Sequence, residues 1–600
     1  MKQAARQELS HSKEHRRTLM FQATAIVLAL VAVYSPSWHA GFVWDDEQLV
    51  TRNPLLQNVS GLIEIWSGGR TADYFPIANT VFWIEWYVFG NNSFGFHLVN
   101  ILFQAADALL VWLVLFRLKI PGAWLAAFIF AIHPLNAESV AWISELKNVL
   151  SMFFVLLSVL CFFESEDRRL LSPTAAYFAS IVFFILALLS KSQVVFLPIM
   201  LLLCSWWRSG DFMPLGFRRQ LIRTLPFFCA AIVFGIVTIW FQNRGIGEEQ
   251  IAIGSLGRRL ANAGLAVWWY GAKIFVPARL MAIYPRWEFD SVGIYEWLPL
   301  IGLVLLMVLA WLFRDRGTRG VFFAITAFVV ALSPVLGLFR MAYLRSGTLV
   351  ADHFVYFATV SLIALFAAAV TALWNRVERA VRILISALLG LALVALGICT
   401  STRAAVFASE ETLWSDTLLK NPDAWQAHAR LGQLFFDRQQ FEAALPHLQR
   451  AIELKPELAD DRNLLGLDYC RLGRFEKGIA EYRTALQLKE AEPLSAKSAS
   501  VATIRTNLAN ALTITANNLS AGAVEIPNEA MQRYDEAVAQ YEKALELEPR
   551  QPAIHRNLGM LLARLGRYNE AKMHLRETLE IVPNEPIARE TLDAIESKGR

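Results

Sequence analysis

The stretch "FQATAIVLALVAVYSPSWHAGFVWDDEQLV", residues 21–50, decides how the rest of the chain is read. It opens on an apolar run and closes on two adjacent aspartates, Asp45 and Asp46, a short way beyond that run. The basic leader "MKQAARQELSHSKEHRRTLM" would also suit a signal peptide, but no small-x-small cleavage site ends the run. It is therefore read as an uncleaved first membrane span. Carboxylates beside a bilayer are costly unless solvated or paired. The acidic pair is thus either part of a wet loop or part of a site, and its company must decide.

Composition supports a membrane chain. Of 600 residues, 55% are hydrophobic and only 18% charged, with mean hydropathy +0.39; a soluble protein of this size needs more charge to cover its core. The charge is uneven: residues 1–402 alternate long apolar and short polar stretches, whereas 403–600 read as ordinary helical soluble sequence. The expected fold is all-α, a polytopic membrane helix bundle over 1–402 followed by a soluble α-solenoid over 403–600. A net charge of +4 without a basic aromatic groove excludes nucleic acid as a partner. The five cysteines have no metal-ligand spacing and form no disulfide framework. No HExxH, CxxC, GxSxG or phosphate-binding glycine loop stands in suitable context, which leaves zinc-hydrolase and nucleotide-driven chemistry unsupported.

A bilayer core takes about 20 apolar residues per helix. Eleven segments qualify or nearly do: 20–36, 97–116, 122–134, 148–163, 174–190, 193–207, 224–241, 294–313, 321–338, 354–374 and 383–400. Short cytosolic loops are rich in Lys and Arg. With the N-terminus inside, the inner loops hold Arg117 and Lys119, Arg168 and Arg169, Arg208 to Arg223, Arg314 to Arg319, and Arg376 to Arg382. The segment 260–278 carries Lys273, and making it span would put Arg314–Arg319 outside; it is read as re-entrant or lying on the outer surface. Eleven crossings then place the soluble domain, the Asp45–Asp46 loop and the loops around 133–138, 191, 242–293 and 339–353 on the outer side. The expected location is an integral protein of a bacterial inner membrane, with the C-terminal domain periplasmic.

That domain repeats every 34 residues. Pro422 and Pro456 are 34 apart, as are Pro549 and Pro583. Leu431-Gly432, Leu465-Gly466 and Leu558-Gly559 recur, each glycine followed 9 residues later by Phe441, Phe475 or Tyr568. This is the tetratricopeptide pattern of paired helices. In the third repeat Ala509 and Tyr534 are 25 apart, so about 16 residues are inserted between its two helices, judged against the regular repeat. Residues 403–422 read as a capping half repeat. Such arrays bind proteins or peptides more often than they catalyse. Asn507 and Asn557 are candidates for a peptide groove, weighed against plain helix surface.

The outer loops collect polar residues. The first carries Asp45, Asp46, Arg52, Tyr74 and Pro76 among aromatic segments that read as surface helices. His133 and Glu138 flank a helix end in "HPLNAESVAW"; Lys191 sits at a bend, in "LLSKSQVVFLP"; Arg340, Arg345, Asp352, His353 and Tyr356 gather in "LFRMAYLRSGTLVADHFVYF". Acids come early and cations late, as a cleft for an anionic lipid head group and a base requires. For Lys191, snorkelling to the interface is an equal reading; for His133, so is a helix-ending turn.

The stretches "GFVWDDEQLVTRNP", "DYFPIANTVFW", "GFHLVNILFQ", "HPLNAESVAWISELKNVLS", "LLSKSQVVFLP", "YGAKIFVPARLMAIYP" and "VADHFVYF", with the repeats, resemble the GT-C glycosyltransferases. The nearer likeness is to the transmembrane-and-tetratricopeptide (TMTC-like) protein O-mannosyltransferase family, as a bacterial relative. The resemblance implies sugar transfer, with mannose a candidate, from a polyprenyl-phosphate donor to a protein hydroxyl, with inversion. It implies Asp45 as general base and Asp46 as a residue orienting the acceptor or helping to hold a divalent cation, Mg or Mn. Lys191, Arg340, Arg345 and His353 would stabilise the donor phosphate, and Tyr74, His133, Glu138, Asp352 and Tyr356 would line the substrate pocket. This chain has His353 where the family has Arg. Two other readings stay open: a non-catalytic membrane-anchored repeat scaffold for envelope assembly, and a GT-C enzyme acting on lipid or polysaccharide.

Overall fold

The computed structural model describes residues 2–69, 73–209, 214–246, 254–287, 293–339, 341, 348–490 and 498–598. Arg340 and Arg345 lie outside the described residues. The chain divides into two compact units, Met1–Asn421 and Pro422–Arg600, and the described residues contain helices and no strand.

The first unit runs through α1 (Lys2–Val33), α2 (Val59–Ser67), α3 (Pro76–Phe89), α4 (Ser93–Arg117), α5 (Ala123–Ala131), α6 (Ala137–Ala141), α7 (Leu146–Asp167), α8 (Pro173–Ser190), α9 (Leu197–Ser209), α10 (Pro214–Ile246), α11 (Leu256–Phe275), α12 (Ile294–Leu312), α13 (Arg319–Leu332), α14 (Tyr356–Arg376), α15 (Arg379–Val406) and α16 (Glu410–Lys420). Among the described residues eight helices are long and apolar enough to cross a membrane: α1, α4, α7, α8, α10, α12, α14 and α15. This unit is a polytopic membrane helix bundle. The apolar run 122–134 is the first limb of a helix pair bent by 50°. The bend falls at His133, because Pro134 has no N–H and disfavours helical backbone in the residue before it; the His133 ring instead accepts the Leu135 N–H at 3.3 Å. The run 321–338 falls in a shorter apolar helix, and 193–207 comprises a 3-10 turn followed by the 13-residue α9. Helix α11, which covers most of 260–278, is amphipathic and is not among the eight.

The basic loops around Arg117, Arg168 and Arg208–Arg223 are drawn together at one end of the bundle. Arg117 pairs with Glu164 and Asp167, each at 3.2 Å; Arg208 with Glu166 at 2.8 Å; Arg223 with Glu166 at 3.1 Å. These groups sit at the ends of α4, α7, α9 and α10. Helix α7 has 22 residues, so its two ends are roughly 30 Å apart at 1.5 Å per residue. Its other end carries the site described below.

The second unit is a tetratricopeptide solenoid of paired helices: α17 (Trp425–Asp437), α18 (Phe441–Leu454), α19 (Ala459–Arg471), α20 (Phe475–Glu490), α21 (Ser498–Leu519), α22 (Asn528–Leu547), α23 (Pro552–Arg564), α24 (Tyr568–Ile581) and α25 (Pro586–Lys598). The recurring glycine is a close-approach residue: a Cβ on Gly432 would lie 2.6 Å from the Leu448 side chain, and one on Gly559 2.8 Å from Leu575. The insert in the third repeat lengthens both its helices. α21 and α22 have 22 and 20 residues, against 13 and 14 for α17 and α18. Residues 403–421, expected with the repeats, are part of the first unit, and that unit includes α16.

Candidate functional site

The acidic loop is built around Trp44. Its backbone is left-handed, with φ 55°, a conformation that residues other than glycine rarely hold without support. Support comes from three sides. The Trp44 ring stacks on Trp142 at 4.5 Å and 9° from parallel, and meets the edge of Trp414 at 5.1 Å. The Trp44 N–H donates to Glu410 at 2.5 Å. The Trp142 indole N–H donates to the Val43 carbonyl at 3.3 Å.

Asp46 is fully buried. One of its oxygens accepts the Val43 N–H at 2.9 Å; the other accepts the Ser144 N–H at 2.8 Å and the Ser144 hydroxyl. It therefore ties the loop to the turn that opens α7. Burial pushes the Asp46 carboxyl up to about 7, against the pull of those hydrogen bonds. Asp45 is half-buried, and its charge reaches Asp46 and Lys147.

Beside this loop stand two lysines bridged by one carboxylate. Lys147 and Lys191 each lie 3.1 Å from Glu145, one on either oxygen. Lys191 is buried and also donates to Asn148 at 2.6 Å; Lys147 is the more open of the two. Two cations against one buried carboxylate leave a net positive charge. Burial lowers Lys191 to about 8 although Glu145 opposes it.

Behind the lysines lies an ionic hub. Arg403, buried at the end of α15, reaches Glu138 at 3.2 Å, Asp352 at 3.3 Å and Asp416 at 3.4 Å. Glu138 also takes His353 Nδ1 at 2.5 Å. With Glu138 paired to Arg403, its carboxylate accepts from His353 Nδ1, which orients the ring. Asp352 accepts the Tyr284 hydroxyl at 2.7 Å. Asn148 links hub and lysines by donating to the His353 carbonyl at 3.1 Å. The Trp142 and His353 rings pack edge to face with centroids 5.9 Å apart, so loop, lysines and hub are contiguous.

Of the residues singled out from sequence, the fold brings together Asp45, Asp46, Glu138, Lys191, Asp352 and His353. Three others stand apart. The Tyr74 hydroxyl donates to the Trp66 carbonyl at 3.0 Å. His133 turns inward to the Ile274 carbonyl at 2.9 Å. The Tyr356 hydroxyl donates to Asp107 at 2.8 Å, inside the bundle. In the second unit Asn507 donates to Asn463 at 2.9 Å and Asn557 to Asn510 at 3.0 Å. Sequence reasoning missed Glu145, Lys147, Arg403 and Glu410. The first two lie within the quoted "HPLNAESVAWISELKNVLS"; Arg403 lay on the assumed domain boundary.

The Asp46 carboxylate is buried and committed to holding the loop. Both Asp46 oxygens are taken by N–H and O–H donors, and among the described residues no group of three His, Cys, Asp or Glu could hold a metal.

Tetratricopeptide-repeat family models match residues 410–459, 530–566 and 556–582. Among curated proteins, the human protein O-mannosyl-transferase TMTC4 is 31% identical over 200 residues, 28% of this chain and 27% of that protein. The mouse protein O-mannosyl-transferase TMTC2 is 29% identical over 151 residues, 23% of this chain and 18% of that protein. The matches thus span well under two thirds of either relative. Among solved structures, YrrB, described as a TPR protein with an unusual peptide-binding site, is 16% identical over 31% of this chain and 83% of its own, with a TM-score of 0.25.

Proposed function

We propose, from the chain's resemblance to the transmembrane-and-tetratricopeptide protein O-mannosyltransferases, that it is an integral membrane glycosyltransferase. It moves a sugar, mannose after its relatives' names, from a polyprenyl-phosphate donor to a hydroxyl of a protein acceptor on the non-cytosolic face. The observation that carries this is a loop, pinned at Trp44 and Asp46, that puts Asp45 within charge reach of Lys147 in the Lys147–Glu145–Lys191 cluster.

Asp45 takes the proton of the acceptor hydroxyl as its oxygen bonds to the sugar C1. The bond from C1 to the phosphate oxygen breaks, and its electron pair leaves with the polyprenyl phosphate. A single displacement inverts C1. The leaving group is already anionic, so fixed cations rather than an acid stabilise it; Lys147 and Lys191 fill that role, and Arg340 and Arg345 stand as further candidates. Asp46 holds the loop. The hub sets His353, and Asn507 and Asn557 offer amides to an acceptor peptide. Comparing glycopeptides of envelope proteins with and without this gene tests the reading. Loss of one class of O-linked hexose peptides supports it, and identical glycopeptide sets overturn it in favour of the scaffold or lipid-modifying readings.

Lys191 gives the activity a pH limb. The Lys191 ammonium is present below its value of about 8 and is lost as pH rises through it. Donor KM is expected to rise above pH 8 in the wild type and to stay flatter in Lys191→Arg, whose guanidinium keeps its charge. Folding shows the opposite sign: a depressed lysine binds its proton less well folded than unfolded, so stability grows with pH over that window. A limb in KM without loss of melting temperature is the expected signature.

A further inference from the structure

We propose that Glu410 is a positioning residue for Asp45, and that through it helix α16 sets the aim of the acidic loop. The inference rests on the reading of Asp45 as the proton acceptor. Asp45 sits between two fixed neighbours. Asp46 is tied to Ser144. Trp44 is held in a left-handed backbone that an ordinary side chain leaves when nothing restrains it. Glu410 is the hydrogen-bonding restraint on its N–H, beside the packing of Trp142 and Trp414. One of its oxygens accepts the Trp44 N–H, and the other accepts the indole N–H of Trp414, which is fully buried. The same carboxylate thus fixes the Trp44 backbone and the ring against its edge.

Glu410 is itself fixed. It occupies the first turn of α16, whose start is closed by a reciprocal capping box between Ser409 and Thr412, and a carboxylate is favoured at a helix N-terminus. The far end of α16 is anchored too. Asp416 meets Arg403 at 3.4 Å, Lys420 donates to the Leu280 carbonyl at 2.7 Å, and Asn421 to the Ile283 carbonyl at 3.1 Å. One eleven-residue helix therefore touches both the acidic loop and the Arg403 hub. The tetratricopeptide match begins at its first residue, Glu410, so the opening helix of the repeat sequence serves as a strut of the site.

The test uses the full chain reconstituted with a polyprenyl-phosphate mannose donor. Glu410→Ala is expected to lower kcat by about 10–100-fold, the scale of a reacting group displaced by about 1 Å, with donor KM changed less than about twofold. Glu410→Gln, whose amide oxygen still accepts the Trp44 N–H but whose NH2 cannot accept the Trp414 indole N–H, is expected to recover part of that loss. In a Trp44→Gly background, where left-handed backbone no longer needs restraint, Glu410→Ala is expected to add less than about twofold to the loss. Wild-type kcat in Glu410→Ala, or additive losses in the double variant, overturns the inference. Should Glu410→Ala fail to fold, the Glu410→Gln and Trp44→Gly variants still decide: a loss in Glu410→Gln as large as in Asp45→Asn refutes it. An active Asp45→Asn instead refutes the reading of the site, which separates the two failures.

Discussion

Asp45→Asn is expected to lower sugar transfer by about 10²–10⁴-fold, the usual contribution of a general base, with the melting temperature of the purified protein almost unchanged. Asparagine keeps the size of the side chain but cannot accept the acceptor's proton. The neighbouring aspartate gives the opposite result. Asp46→Ala strands the Val43 N–H and both Ser144 donors in a buried site, and each unpaired buried group costs about 1–3 kcal/mol. Asp46→Ala is therefore expected to melt several degrees lower, with activity falling through loss of fold. Transfer kinetics and thermal unfolding, measured on both variants, check the assignment. A stable, active Asp45→Asn protein ends it, as does an Asp46→Ala protein of normal stability.

The second large effect concerns where the membrane unit ends. A chain stopped after Asn421 is expected to be recovered as a folded, monodisperse protein in detergent, and a chain stopped after Thr402 is not. The shorter chain lacks Arg403, leaving Glu138 and Asp352 buried without their shared cation. Breaking a buried pair from one side costs about 3–5 kcal/mol, and a whole fold is worth only about 5–15 kcal/mol. It also lacks Glu410 and Trp414, so the acidic loop loses its clamp. Arg403→Met in the full chain isolates the first contribution and is expected to lower the melting temperature sharply. Equal recovery of both truncated chains, by size-exclusion profile, contradicts the division at 421.

Much of the architecture was legible because it follows from short-range periodicity. The apolar runs and the 34-residue repeat are local patterns: eight of the eleven runs fall in helices long and apolar enough to cross a membrane, and the repeat maps onto helix pairs. The run 122–134 was less legible, because hydropathy measures apolar length and does not register the bend that Pro134 imposes at His133. The site was legible where one quoted stretch carried several of its members, as with Glu138 in "HPLNAESVAWISELKNVLS". It was illegible where partners lie far apart in the chain. Nothing near Trp44 points to Glu410, 366 residues away, and nothing in "STRAAV" distinguishes Arg403 from a cation ending a membrane span. The two adjacent aspartates look alike in sequence; in the fold Asp46 is fully buried and Asp45 half-buried.

The tall helix pair in the third repeat changes how the solenoid comes into being. In a uniform array every neighbouring pair is worth about the same, so order can start anywhere and spread. Here α21 and α22 hold a longer shared seam than α17 and α18, with Tyr534 and Tyr541 fully enclosed along it and bonded to Asn517 and Asn510. That pair is expected to be the seed from which the flanking repeats order outward, and the last to let go on heating, with amides that exchange more slowly with solvent than those of α17 and α18.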